Sequence, residues 1–72
     1  MSASAFVVAV LSVQGAAPVT TTFYAPECKP AMEQVVKSYG LESFIKSWSN
    51  SSMKASNKGV YLTITCGVIK QG

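Results

Sequence analysis

The densest apolar stretch of the chain is Ala5–Val13, in which eight of nine residues are apolar. It is too short to cross a membrane as a helix, which takes about 20 residues. Because odd and even positions are both apolar, it predicts a central strand wanting cover on both faces. Gln14–Ala17, with Gly15 inside it, predicts a hairpin loop of about four residues. Pro18 then opens a second strand, Val19–Tyr24. Proline donates no hydrogen bond and threonine tolerates water, so this strand is expected at a sheet edge.

Beyond Pro30, which suits a first helical turn, the period changes. Met32, Val35, Val36 and Tyr39 fall on one helical stripe, with Glu33 and Lys37 paired on the opposite face. Gly40 suits the left-handed position that ends a helix, with Leu41 closing against Val36. Leu41, Phe44, Ile45 and Trp48 repeat the helical spacing, with Glu42 and Lys46 as a second pair, and predict a second short helix. The alternative is one helix from Pro30 to Trp48 bent at Gly40, disfavoured by the roughly 1 kcal/mol that glycine costs in a helix interior. Ser49–Lys58 is rich in serine and asparagine and predicts an exposed loop. Asn57-Lys58-Gly59 turns into a last strand, Val60–Lys70, where Val60, Leu62, Ile64, Cys66 and Val68 alternate with Tyr61, Thr63, Thr65 and Gly67.

This order, β-β-α-α-β, predicts a single α+β domain over residues 1–72. Its sheet is antiparallel and three-stranded, in the order 2-1-3, with Ala5–Val13 in the middle. One bent or two short helices lie on one face. The chain has nothing left to cover the other face, so a second copy or a target protein is the expected cover.

Composition sharpens that expectation. Charged residues make up 12% of the 72-residue chain, against about 25% in an average soluble domain. The net charge of +3 comes from six lysines against Glu27, Glu33 and Glu42, with no arginine, histidine or aspartate. Without histidine there is no ordinary general base near neutral pH and no imidazole metal ligand. Glu27 and Glu33 are expected as solvated charges at the helix start. No phosphate loop or nucleophile motif is present. The chain is therefore not expected to be an enzyme, and no cofactor or metal is expected. Lys46, Trp48, Lys54 and Lys58 form a loose basic stretch, read as a solvated loop beside a core tryptophan. Nucleic acid is not the expected partner, because no arginine is available for bidentate contacts; lysine can still hold phosphate as a point charge.

Cys28 and Cys66 admit three states. Two free thiols, with Cys66 a small core hydrophobe, are the first expectation. A Cys28–Cys66 disulfide would tie the helix start to the last strand and belongs to an oxidising compartment. A reactive Cys28 beside Lys29 has no base or resolving cysteine near it in sequence. Met1–Ala17 has the length of a secretory signal. Its first four residues carry no positive charge and Pro18 follows the second candidate cleavage point, so the stretch is expected to be retained. Asn50-Ser51-Ser52 is a glycosylation sequon, meaningful only in a secreted chain.

The expected function is that of a small, non-enzymatic protein-binding protein, self-associating as a dimer or higher oligomer. Viral or phage accessory inhibitors that act by occlusion have this size. The interface candidates are Phe6, Val8, Val10, Tyr24, Trp48 and Tyr61, since aromatics dominate interface energetics. One alternative is a secreted, disulfide-bonded effector or toxin-like protein; another is a weak, non-specific nucleic-acid binder. The cytoplasm of a host cell is placed ahead of secretion.

Overall fold

Alternation and periodicity carry most of the chain into the elements they predict. The computed structural model describes residues 5–69. Met1–Ser4 and the predicted strand end at Lys70 lie outside the described residues. Strand β1 (Ala5–Val13) is followed by β2 (Val19–Ala25), helix α1 (Cys28–Ser38), a 3-10 turn at Glu42–Phe44, then β3 (Ile45–Trp48), β4 (Ser52–Asn57) and β5 (Val60–Val68). The strands form one antiparallel sheet in the order β2-β1-β5-β4-β3.

This corrects the predicted fold. The three-stranded sheet of order 2-1-3 with one bent or two short helices is instead a five-stranded sheet with one α-helix. The predicted second helix, Leu41–Trp48, is a 3-10 turn running into β3. Its helical spacing has a specific cause: the β3–β4 register shifts between Ile45 and Ser47. An extra residue at a bulge breaks period-two alternation. Ile45 opposite Ala55 and Trp48 opposite Met53 thus share a face although they stand three apart. The predicted loop Ser49–Lys58 is largely β4, whose alternation is carried only by buried Met53 and Ala55.

Helix α1 ends where Gly40 permits it. Gly40 sits at φ 70°. The Gly40 N–H donates to the Lys37 carbonyl and the Leu41 N–H to the Val36 carbonyl, each at 3.0 Å. These are the paired bonds of a Schellman ending. Leu41 joins the core that contains Val36. That core lies between α1 and one sheet face: Met32 and Val36 from the helix meet Val7, Leu62 and Ile64, all nearly inaccessible to solvent. Ala5, Ala9, Ala25, Met53, Ala55 and Cys66 complete it.

Cys28 and Cys66 are joined by a disulfide, with Cα atoms 5.8 Å apart and a sequence separation of 38. The bridge fastens the start of α1 to β5, at the position where Cys66 faces Val7 of β1. Among the states open from the sequence, this excludes free thiols and a reactive Cys28 in the structure described.

Candidate functional site

The residues that alternate with the core project from the opposite sheet face, which no element among the described residues covers. Register places them in rows across the strands. Tyr24, Phe6 and Gly67 form one row; Thr22, Val8, Thr65 and Ser52 the next; then Thr20, Val10, Thr63 and Lys54; and last Ser12, Tyr61 and Ser56. Phe6 and Tyr24 pack ring to ring, with centroids 5.1 Å apart and planes at 55°, a tilted contact of the favourable kind. Gly67 beside Phe6 leaves a notch, with no atom within 4 Å of where a Cβ would stand. Phe6, Val8 and Val10 are half-buried by their neighbours, whereas Tyr24 is 64% and Tyr61 56% exposed.

Five of the six interface residues named from the sequence, Phe6, Val8, Val10, Tyr24 and Tyr61, thus share this open face. Trp48 does not. It stands opposite Met53, a residue buried beneath the helix, and is 60% exposed at the sheet margin. Lys29 Nζ lies 5.1 Å from its ring centroid. Trp48 is therefore neither a core tryptophan nor part of the lysine stretch.

The two sheet edges differ. Edge β3 has only four residues, carries Lys46 and contains the bulge; short length, charge and bulging all discourage strand addition. Edge β2 has seven residues, Val-Thr-Thr-Thr-Phe-Tyr-Ala, and no charged side chain precedes Glu27 in the chain.

Charge is segregated as well. Lys46, Ser56 and Tyr61 line two adjoining grooves on the β3–β5 side. One, of about 340 Å³, adds Phe44, Asn57, Lys58 and Gly59. The other, of about 200 Å³, adds Lys54, Ala55, Leu62 and Thr63. Among the described residues neither contains a carboxylate. Sequence reasoning grouped these lysines with Trp48 as a loop; the signal it missed was the Met53/Ala55 alternation, which turns the loop into a strand. A further groove, about 520 Å³, lies between α1 and the 3-10 turn and mixes Glu33 and Glu42 with Lys37. Glu27 is not part of it. Among the described residues no group of three His, Cys, Asp or Glu is placed to hold a metal ion, and no helix is long and apolar enough to cross a membrane.

No protein-family model, curated protein or solved structure matches the chain.

Proposed function

We propose that the protein is a non-enzymatic binding protein that acts by contact, and that its first partner is a second copy of itself. The observation that carries this reading is the pairing of an uncharged, seven-residue edge at β2 with the apolar Phe6–Val8–Val10 strip beside it. Antiparallel pairing of two β2 strands about a two-fold axis at Thr22 would set Thr20 against Tyr24 and Val19 against Ala25. Such an interface is self-complementary, and it extends both open faces into one surface broad enough to occlude a target. Thr22→Lys brings two like charges together at the axis, where they oppose pairing. Light scattering should show a dimer for the wild type and a monomer for Thr22→Lys, with the melting temperature measured in parallel. A wild type that stays monomeric at high concentration removes the reading.

A second reading is favoured by the disulfide. A bridged pair persists in oxidising compartments, which suits a secreted effector. Intact mass of protein taken from its natural source distinguishes the two: a deficit of two hydrogens supports export, and two thiols refute it.

A further inference from the structure

We infer that the β3–β5 end of the open face is a site for single-stranded nucleic acid, bound through its phosphates and stacked bases without reading sequence. This site is separate from the β2 edge and does not rest on self-association.

Three observations converge on it. First, Lys46, Lys54 and Lys58 come from β3, β4 and the β4–β5 turn, yet line two grooves that share Lys46, Ser56 and Tyr61. None of the three is held in an ion pair among the described residues. The molecule's three glutamates stand elsewhere: Glu33 and Glu42 line the groove beside α1, and Glu27 precedes the helix. A cluster of cations without counter-charges favours a polyanion.

Second, aromatic rings stand in the same grooves. Tyr61 is 56% and Phe44 37% exposed. Exposed rings beside a positively charged track are what unpaired bases use for stacking. An acidic peptide would engage the lysines and leave the rings unused, which is why nucleic acid is the ligand argued for. Without arginine there is no guanidinium fork for phosphate or guanine edges, and the contacts argued for, lysine to phosphate and ring to base face, do not read sequence.

Third, Lys58 occupies a costly position. The Asn57–Val60 turn has Lys58 at φ 48° and Gly59 at φ 82°, the two left-handed residues of a type I′ hairpin turn. Asparagine, aspartate or glycine is favoured at the first of these positions. A lysine held there against local preference points to a role outside folding.

The test uses the whole chain and a fluorescein-labelled oligothymidylate of about 12 nucleotides, within the span of a small single-strand site. Fluorescence anisotropy is followed from about 50 to 200 mM salt. Three phosphate contacts give a log–log salt slope of about −2, a loss of about 20-fold in affinity over that range. Lys54→Gln should lower the slope by about 0.7. Tyr61→Ala should weaken binding about tenfold, and Tyr61→Phe, which keeps the ring, should not. Lys37→Gln on the helix face serves as the control and should match the wild type. Lys58→Gly should weaken binding while raising the melting temperature, so that loss of affinity is not mistaken for loss of fold. The inference is overturned by absence of binding at the lowest salt, or by wild-type affinity in both Lys54→Gln and Lys58→Gly. Poly-glutamate competing as well as the oligonucleotide would overturn it too, and would identify an acidic peptide as the ligand.

Discussion

Opening the Cys28–Cys66 bridge is the sharpest test of what holds this small sheet together. With the cysteines 38 positions apart in sequence, the chain-entropy relation assigns the closed loop about 4 kcal/mol at 25 °C. A domain of 72 residues has a total stability of about 4–11 kcal/mol at the usual 0.05–0.15 kcal/mol per residue. The bridge is therefore worth a third of the fold at least. Unfolding entropy of about 2.1 cal/mol/K per residue converts the loss into a fall of about 25 °C in melting temperature. The assay is thermal circular dichroism of the wild type with and without a thiol reductant, at one protein concentration because self-association also moves the midpoint. The reduced wild type keeps every core atom, whereas Cys66→Ala would add a cavity at a buried position. If reduction lowers the midpoint by less than about 5 °C, loop closure is not what the bridge contributes.

Other outcomes follow from the same geometry. Ile64→Ala and Val7→Ala remove side chains with no solvent exposure and should each cost about 2–4 kcal/mol in urea titrations. Gly40→Ala meets no atom within 4 Å but must adopt φ 70°, so it should destabilise by about 1 kcal/mol through backbone strain alone. Lys58→Gly should stabilise by about 0.5–1 kcal/mol in the same titration, since it relieves a left-handed lysine. Lys29→Gln should shift the emission of Trp48, whose ring lies 5.1 Å from the ammonium, while changing stability by no more than about 1 kcal/mol.

Where local chemistry and the fold agree, the elements were legible from the chain. β1 was bounded at Ala5 and Val13 by its apolar run, and the Gly40–Leu41 ending of α1 was legible because only glycine accepts that backbone. β2 was recognisable as an edge from Pro18 and its threonines. The misassigned elements lie together in 41–58. A bulge in β3 converts strand facing into helical spacing, which disguises Ile45 and Trp48 as a helix face. Its partner β4 buries only Met53 and Ala55, too little to announce a strand. The candidate site followed the same division: Phe6, Val8, Val10, Tyr24 and Tyr61 lie on strands that the sequence delimited, and Trp48 was misplaced with the strand that carries it. The grouping of the lysines with Tyr61 depends on β4 pairing with β5 across the Asn57–Val60 turn, a hairpin hidden by the polar, loop-like composition of 49–58.

The register that sets Ala5 opposite Val68 and Val13 opposite Val60 has a consequence for how the molecule comes into being. The β1–β2 hairpin and the β3–β4–β5 meander are local and can form early. The seam between them joins the two most distant strands, and closing it demands the largest loss of chain freedom. Non-local pairing of this kind belongs to the slower folders, on millisecond-to-second timescales. On a ribosome, β1 would wait with its apolar side chains uncovered until β5 had emerged. Once zipped, the seam binds both halves into a single cooperative unit, and peeling β5 away releases them together.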